Sequence, residues 1–513
     1  MVNQYEIVMG LETHVRIKSN TKMFCACRNA VELADEPNLH TCPYCMAFPG
    51  ALPVLNERVI DLAVRAGQAM RCTVNETSIF DRKSYFYPDS PSGFQITQLF
   101  HPIVQHGVVR ALVSRKDSEI GWNSRENRDS EWGVHNEGTT NENAEIWTWS
   151  SPILKSFKIE RMHIEADAGK LIHSGTKTLC DYNRAGSPLM EIVTEPDFRS
   201  KEDVIGYLEE LQKLMRWCGA SDADMEKWQL RCDVNISIRN KGETILNNRV
   251  ELKNINSFSA IGRAIDNEYK RQIKIVEAGG KVPQETRGWD DEKGMSSSQR
   301  SKEDAMDYRY FPEPDLPPLI ISKEFIAERA IWDLPIDRRI KYIGEYKLQV
   351  DDARILSASR DLSDFYEELV KLSGDAKKSC SYITTILFTL FDTHKEIVSF
   401  EHLRFQVTEL ARVISLVNSD EISSTNAKIV VEELFLYGWQ TDTIVDTKTL
   451  RQVSDTGALK AIAQKVIASN PVQVTEYKSW KENLFGFFVG QCMKASAGQG
   501  NPKVFTEILR GML

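Results

Sequence analysis

Apolar and polar residues alternate along several segments of the N-terminal part of the chain, which predicts β-strands with one buried and one polar face. The segments with this alternation are residues 7–17, 159–170, 231–239 and 249–257, and a shorter apolar run covers residues 189–193. Strands of this kind are typical of antiparallel sheets that cover a core on one side and leave the other side polar.

Helical spacing of apolar residues occurs twice in this part and dominates the rest of the chain. Residues 52–70 form one amphipathic segment, and another begins after Ser200, a typical N-cap, and stops at Gly219. Beyond a proline-rich stretch that ends at Pro318, helical patterns replace strands, for example after the N-cap Asp455. The sequence therefore predicts an α+β fold with a mainly antiparallel domain at 1–318, a helical domain at 319–402 and a helical tail at 403–513.

The polar faces of the predicted strands carry acids and an imidazole. Alternation places Glu12 and His14 side by side, a pair that suits a hard-cation site or acid/base chemistry, or simply the polar outer face of a strand. Glu191 interrupts an apolar run, where a carboxylate is costly unless a cation or hydrogen-bond donors meet it; a half-exposed strand is the alternative. Asp233 offers a further acid on another strand.

Composition narrows the class of protein. The chain has 513 residues, of which 42% are hydrophobic, and this size and content predict a globular protein of two to four domains. No run approaches the ~20 apolar residues of a membrane span, so we expect no membrane association and a cytoplasmic location. The formal net charge of -9 argues against indiscriminate coating of nucleic acid but leaves room for a local basic contact.

Four of the ten cysteines lie between residues 25 and 45. Cys25 with Cys27 and Cys42 with Cys45 form two close pairs, a spacing that can bring four thiolates onto one tetrahedral Zn²⁺. Buried free thiols are the alternative, and a redox pair is less favoured because no thioredoxin-like pattern surrounds the second pair. We therefore expect a structural zinc site.

Several basic residues are candidates for binding phosphate groups. Gly169-Lys170 suggests a nucleotide loop, but a P-loop requires glycine where Ile164 stands and Ser or Thr where Leu171 stands. Lys253 on the last predicted strand is a possible phosphate partner. Arg300 and Lys302 lie in a serine-rich basic cluster that is a candidate anion site or a solvated turn.

Two segments stand out by composition alone. Residues 80–98 interleave aromatics with basic residues around a loop rich in Pro and Gly, which is typical of a surface that receives a ligand or of proline-rich loop packing. Residues 107–152 are polar, with tryptophans among charges of both signs, and we interpret them as a loop or hairpin excursion.

Long motifs in a fixed order resemble the GatB/GatE family, whose members are subunits of tRNA-dependent amidotransferases. Besides the cysteine pairs, the resemblance rests on GLETH at 10–14, FDRKSYFYPD at 80–89, GFQITQ at 93–98, HIEADAGK at 163–170, NRAGSPLMEIV at 183–193, LRCDVNIS at 230–237, VELKNINS at 250–257 and DYRYFPEPD at 307–315. It runs nearly from end to end of the chain and implies a cradle-like catalytic domain followed by helical domains.

The resemblance implies ATP-dependent phosphorylation and amidation of Glu on tRNA(Gln), of Asp on tRNA(Asn), or of both. The family's Mg²⁺ ligands correspond to Glu12, His14, Glu191 and Asp233, and Lys253 and Arg184 are implied partners of phosphate or carboxylate groups. We expect the phosphates of ATP near Lys170, Lys253, Arg300 and Lys302.

The chain departs from the family pattern at three places. Ala166 stands where the family has the second Glu of a pair, the one assigned to the metal, so Glu165, Asp167 or water is expected to replace it. The segment 107–152 is longer than usual, and residues 480–483 replace a Gly-Lys pair expected to contact tRNA. A zinc-bearing tRNA-docking scaffold with a weakened metal site is the alternative function.

The resemblance also implies partners. The chain has no Gly-Gly-Ser-Ser amidase signature, so ammonia is expected to come through a channel from a GatA-type amidase subunit, and a small GatC-type subunit is expected to brace a heterotrimer. The tail is expected to bind misacylated tRNA, with Lys494 and Lys503 approaching the phosphate backbone.

Overall fold

The computed structural model describes residues 4–29, 36–114, 152–301, 307–397, 399–452, 455–479, 484–496 and 499–513. The chain divides into two compact units, Met1–Ile340 and Lys341–Leu513. The α+β prediction is confirmed, because strands dominate the first unit and helices the second.

The first unit contains strands and the first helices of the chain. Its strands are β1 (Tyr5–Arg16), β2 (Thr73–Val74), β3 (Thr77–Ser84), β4 (Phe94–His101), β5 (Val104–Val113), β6 (Ile153–Ala166), β7 (Lys170–Ser174), β8 (Lys177–Asp181), β9 (Pro188–Thr194), β10 (Leu230–Asn240), β11 (Val250–Lys253), β12 (Glu285–Asp290), β13 (Met295–Ser301), β14 (Phe311–Pro312) and β15 (Leu319–Ile320). Its helices are α1 (Glu57–Ala69), α2 (Lys201–Trp217), α3 (Phe258–Glu277), α4 (Lys323–Glu328) and α5 (Pro335–Gly344), the last of which contains the boundary between the units.

A nine-stranded sheet organises this unit, in the order β13-β12-β11-β10-β1-β9-β6-β5-β2. Its pairs are antiparallel except for β11 and β12, which run parallel and are connected through α3. β1 lies near the middle, between β10 and β9. The sheet therefore brings together strands that are far apart in sequence, including the predicted strands that carry the acids.

The core lies under one face of this sheet. Val234, Ile236 and Leu252 point into it and are fully buried, as the alternation of their strands predicts. The helix predicted after Ser200 is confirmed: the Ser200 hydroxyl accepts a hydrogen bond from the Asp203 N–H at 3.1 Å, and Leu208 and its helical neighbours are buried. Because this face is apolar, the polar side chains of β1, β9 and β10 lie on the opposite face.

A smaller sheet joins β14, β3 and β15, with β4 paired to β3. β3 and β4 form a hairpin whose connecting loop, residues 85–93, contains the Pro/Gly-rich part of the segment singled out at 80–98. Its β15 shows that strands continue just beyond Pro318, contrary to the prediction, since Leu319 pairs with Ser78.

Two further predictions need correction. The helix predicted at 52–70 begins only at Glu57, because the Asn56 side chain accepts a hydrogen bond from the Arg58 N–H and caps it there. The excursion predicted from Gly107 starts later, since residues up to Val113 belong to β5 and pair with β6. The rest of it, residues 115–151, lies outside the described residues.

The second unit is helical. Its elements are α6 (Val350–Leu356), α7 (Arg360–Ser373), α8 (Ala376–Ser381), a π-helical turn (Tyr382–Leu387), α9 (Phe388–Thr393), a 3-10 turn (Phe400–His402), α10 (Val407–Asn418), α11 (Ser424–Tyr437), α12 (Thr441–Thr447), α13 (Thr456–Ser469), α14 (Pro471–Lys478), α15 (Phe485–Ala495) and α16 (Pro502–Arg510). The predicted cap is confirmed, because the Asp455 carboxylate accepts a hydrogen bond from the Gly457 N–H. None of the described helices is long and apolar enough to cross a membrane.

Two hydrophobic cores lie within the part of the second unit that the structure describes. One contains buried residues from Tyr342 to Leu450, and the other contains residues from Leu459 to Leu509. The first of these cores continues across residues 402 and 403, where the sequence places a domain boundary, and residues 451–458 separate the two cores. The three-domain division at 318 and 402 stays a prediction.

We predict that a chain truncated after Gln452 keeps the fold of the remaining residues, because it loses only the last core. A chain truncated after His402 removes Phe405, Leu410 and the other later contributors to the preceding core, and we expect that core to unfold. Circular dichroism melts and limited proteolysis of both truncated chains check this. Equal protease resistance of residues 341–402 in both would contradict it.

Candidate functional site

The register of the large sheet brings the predicted acids and imidazole together. Glu12 pairs with Asp233 of β10, and His14 pairs with Glu191 of β9. Glu191 in turn pairs with His163 of β6. Because side chains of paired residues point to the same face, these groups form two adjacent rows on the polar face of the sheet.

Glu191 is shared by two groups of possible metal ligands. Its Oε2 lies 3.5 Å from His14 Nε2, which is 3.8 Å from Glu12 Oε1. The same Oε2 lies 3.2 Å from His163 Nε2, which is 4.0 Å from Glu165 Oε2. The groups are thus Glu12–His14–Glu191 and His163–Glu165–Glu191.

The electrostatics show that these groups are short of positive charge. Burial, reinforced by the charge of Glu191, raises the pKa values of Glu12 and Glu165. Burial would lower the pKa of His14, but its hydrogen bond with Glu191 raises that pKa to about 9. Burial also works against ionised Glu191, yet His163 and His14 hold its pKa well below the usual range.

The donor set fits a divalent cation. Mg²⁺ with oxygen ligands at about 2.1 Å in octahedral geometry sets ligand atoms about 3.0 Å apart when adjacent and about 4.2 Å apart when opposite. The four distances from His14 and His163 to the carboxylates, 3.2–4.0 Å, lie between these two separations, so small side-chain shifts would bring these atoms onto one cation. A cation would also relieve the desolvation of Glu12 and Glu165.

Asp233 lies beside these groups but is already paired. Its Oδ2 accepts a hydrogen bond from Lys253 Nζ at 2.5 Å, and Lys253 also lies 3.1 Å from Glu251 Oε1. Burial acts to lower the pKa of Lys253, but the carboxylates of Asp233 and Glu251 outweigh it and raise that pKa. Asp233 therefore holds a lysine at the edge of the candidate metal site.

The structure also separates the roles of residues 165 and 166. Glu165 shares the face of His163, whereas Ala166 lies on the side of buried Met162 and Ile164 in the strand alternation. Ala166 lines a different cavity, of about 320 Å³, between the cysteine loop and the β3–β4 hairpin, and its carbonyl accepts a hydrogen bond from Gln95. Glu165 is thus the carboxylate of this strand that joins the metal-ligand group.

Three other predicted residues have surroundings of their own and are not members of the metal-ligand groups. Arg184 donates to the carbonyls of Ala168 and Gly169 at 2.9 and 2.6 Å and so fixes the loop after β6. Lys170 is exposed at the start of β7. Lys503 pairs with Asp420 at 2.7 Å.

Some predictions fall at or beyond the limits of the described residues. Arg300 lies on β13 opposite Thr286, and its side chain is outside the described part of the structure, as are Lys302 and residues 480–483. Lys494 is exposed on α15.

Sequence reasoning missed two residues at this site, His163 and Lys83. The alternation of β6 places His163 on the same face as Glu165, so the period of two could have found it. Lys83 comes from β3 in the other sheet. It lies in the segment 80–98 that the sequence marks as a possible ligand surface, but no local pattern placed it near Glu165 and Glu191. Burial works to lower the pKa of Lys83, but Glu165, Tyr310 and Glu191 raise it, and its ammonium lies 5.0 Å from the centre of the Tyr308 ring.

The four cysteines of the loop between β1 and α1 converge as predicted. Cys45 Sγ lies 3.5 Å from the sulfur of Cys25, 3.7 Å from that of Cys42 and 3.9 Å from that of Cys27. Four thiolates at about 2.3 Å from a tetrahedral Zn²⁺ are about 3.8 Å apart, so the spacing fits zinc and is far longer than a disulfide.

A buried lysine connects this cysteine cluster to the turn that precedes β9. Lys22 is fully buried, and its ammonium donates to Cys45 Sγ at 3.5 Å, to the His40 carbonyl at 2.8 Å and to the Tyr182 carbonyl at 3.1 Å. Despite burial, the hydrogen bond from Cys25 lowers the pKa of Cys45 to about 5, and Lys22 acts in the same direction. Lys22 therefore offsets thiolate charge and ties the cluster to residues 181–186.

Comparison with known proteins agrees with this architecture. The profile of the GatB/GatE catalytic domain matches residues 7–327, and that of the GatB domain matches residues 364–513. The chain belongs to the GatB/GatE family.

Curated relatives match the chain over all or nearly all of their length. Proteins named as the B-type subunits of aspartyl/glutamyl-tRNA(Asn/Gln) amidotransferase include one from Persephonella marina, 41% identical over 99% of this chain and 100% of its own. Those from Carboxydothermus hydrogenoformans and Myxococcus xanthus are each 40% identical over 100% of this chain and 99% of their own.

Because Glu191 belongs to both groups of ligands, we predict that Glu191→Gln weakens Mn²⁺ binding at both. Glu12→Gln and Glu165→Gln should each affect one group and leave residual binding at the other. Titration calorimetry and electron paramagnetic resonance with Mn²⁺ check this, with exposed Glu243→Gln as the matched control. Wild-type affinity in Glu191→Gln would count against the site.

We predict that Lys22→Met lowers zinc affinity about 10- to 100-fold, the usual effect of removing a partner of a metal ligand. The substitution keeps the length of the side chain but leaves Cys45 and two carbonyls without their donor. The measurement is the rate and extent of zinc transfer to a colorimetric chelator. Lys18→Met, at an exposed lysine paired with Asp222, is the control and should behave as wild type.

Proposed function

We propose that this chain is the subunit of a tRNA-dependent amidotransferase that activates and amidates Glu on tRNA(Gln), Asp on tRNA(Asn), or both. The observation that carries the proposal is the pair of metal-ligand groups around Glu191, on the polar face of a sheet in a chain of the GatB/GatE family. We infer that ATP and Mg²⁺ are required.

The need for ATP follows from the chemistry of the substrate. A carboxylate is a poor acylating agent until an oxygen becomes part of a good leaving group. In the proposed reaction a side-chain carboxylate oxygen attacks the γ-phosphorus of ATP and ADP leaves. Ammonia then attacks the carbonyl carbon of the acyl phosphate, phosphate leaves and the new amide loses a proton. Bound Mg²⁺ would offset the charge of the phosphates.

The residues of this chain have distinct parts in that scheme. The cation would be held by residues of three neighbouring strands: Glu12 and His14 of β1, Glu191 of β9, and His163 and Glu165 of β6. Lys253 presents an ammonium beside Asp233, where it can meet a phosphate oxygen. Lys83 brings a further positive charge from the β3–β4 hairpin toward Glu165 and Glu191.

Family membership supports partners as well. We infer a heterotrimer with a GatA-type amidase, which delivers ammonia through a channel, and a small GatC-type protein, in the cytoplasm. The cysteine cluster holds structural zinc, and the helical C-terminal residues bind tRNA. The alternative, a docking scaffold with a weakened metal site, depended on Ala166, and the place of Glu165 beside His163 and Glu191 supports the enzymatic interpretation instead.

We predict that Glu191→Ala in the reconstituted complex lowers ATP cleavage with misacylated tRNA by about 100-fold or more, because the cation loses the ligand common to both groups. Phosphate release and formation of amidated tRNA are measured with a matched Glu243→Ala control. ATP cleavage at the wild-type rate in Glu191→Ala would rule out the enzymatic role of this site.

A further inference from the structure

A β-bulge in the last two strands of the large sheet aims one amide side chain over a glycine. In the pairing of β12 with β13, Thr286 lies opposite Arg300 and Arg287 opposite Ser298, so Gln299 is the extra residue of the bulge. A Cβ atom on Gly288 would come within 2.2 Å of Gln299 Nε2. Glycine at 288 therefore makes room for the Gln299 amide.

This amide lines a polar cavity of about 430 Å³. The loop after β11 supplies Asn254, Asn256 and Ser257, and the other wall contains Gly288, Ser297 and Gln299. The volume lies within the roughly 300–1,000 Å³ typical of small-molecule sites. The side-chain amides of Asn256 and Gln299 are exposed and make no hydrogen bond within the described part of the chain.

Two of the three acids that line the cavity, Asp290 and Asp291, are already paired, and Glu292 is the third. Asp291 accepts hydrogen bonds from Arg263 and from the Trp289 indole N–H, and Asp290 accepts from Lys293 at 2.7 Å. The exposed amides of Asn256 and Gln299 can both donate and accept hydrogen bonds to a ligand. This chemistry suits the edge of a purine base, since Asn and Gln side chains bind the N6 and N7 positions of adenine in a bidentate way.

The cavity lies in line with the candidate metal site. Gly288 pairs with Lys253 across β11 and β12, Lys253 binds Asp233, and Asp233 pairs with Glu12. Three strand spacings separate β1 from β12, about 14 Å in total. A nucleoside triphosphate can extend over this span, with its phosphates at Lys253 and its base at Gln299.

We propose that this cavity binds the adenine base of ATP, with Gln299 and Asn256 as the residues that recognise it. The proposal rests on the proposed function, which requires ATP, and it assigns the nucleotide an orientation: base over Gly288, triphosphate along Lys253 toward Glu12 and Glu191. In this orientation, the bulge holds the Gln299 amide at the position where the edge of the adenine base binds.

Binding of ATP and of inorganic tripolyphosphate to the full-length chain, with Mg²⁺ present, tests this assignment by titration calorimetry. Gln299→Ala and Asn256→Ala should each raise the Kd for ATP about 5- to 100-fold, the discrimination of a bidentate amide pair. The Kd for tripolyphosphate, which has no base, should stay unchanged. Asn267→Ala is the matched control, because Asn267 bonds Gly294 of the same hairpin without lining the cavity.

Gly288→Ala gives a second route to the same result, since its methyl group displaces the Gln299 amide. The thermal unfolding of the Gly288→Ala variant is compared with that of the wild type. If this variant fails to fold, the test relies on Gln299→Ala. Unchanged ATP affinity in these variants, or equal losses for ATP and tripolyphosphate, overturns the adenine assignment and leaves the proposed function intact.

Weakened tRNA binding with unchanged ATP affinity would also overturn the adenine assignment for ATP, and it would place the terminal adenosine of tRNA in this cavity. A wild-type chain and complex that neither bind nor cleave ATP would overturn both proposals.

Discussion

The Glu191 carboxylate between two imidazoles is the interaction on which the rest of the site depends. A buried carboxylate is costly, and here His14 and His163 approach it from the strands on either side of β9. Glu12 lies beside His14 and Glu165 lies beside His163, and burial raises the pKa values of both acids. At Glu191 the two imidazoles oppose this effect of burial. The two imidazoles thus offset the charge of Glu191, while the carboxylates of Glu12 and Glu165 favour a bound cation.

The arrangement is a product of strand order. Glu12 and His14 are neighbours in sequence, but Glu191, His163 and Asp233 reach them only because β9 and β10 flank β1 and β6 flanks β9. The smaller sheet adds Lys83, and the cysteine loop supports the turn before β9 through Lys22. The large sheet, β3 of the smaller sheet and the cysteine loop thus all contribute to this face or support it.

Local patterns in the sequence predicted the strands, the cap at Ser200 and the convergence of the cysteines. They also placed Glu12 and His14 on one face. Pairing between distant strands has no local signal, so alternation alone could not show that Asp233 is held by Lys253 or that Lys83 comes from the other sheet. The start of α1 at Glu57 was missed because the cap at Asn56 outweighs the apolar residues before it. The sequence left Glu165, Asp167 or water as the replacement for a ligand at Ala166, and only the strand register shows that Glu165 lies on the face of His163.

The position of β1 in the sheet also sets a condition on biosynthesis. Contacts between β1 and β10 join residues far apart in the chain: Thr13 and Cys232, next to Glu12 and Asp233, are separated by 219 residues. A ribosome must therefore complete β10 before the first strand finds both of its neighbours. Contacts of such long range are slow to form, so the nascent chain holds Glu12 and His14 unpaired through much of its synthesis. Assembly of the candidate metal site is thus a late event that marks a correctly formed sheet.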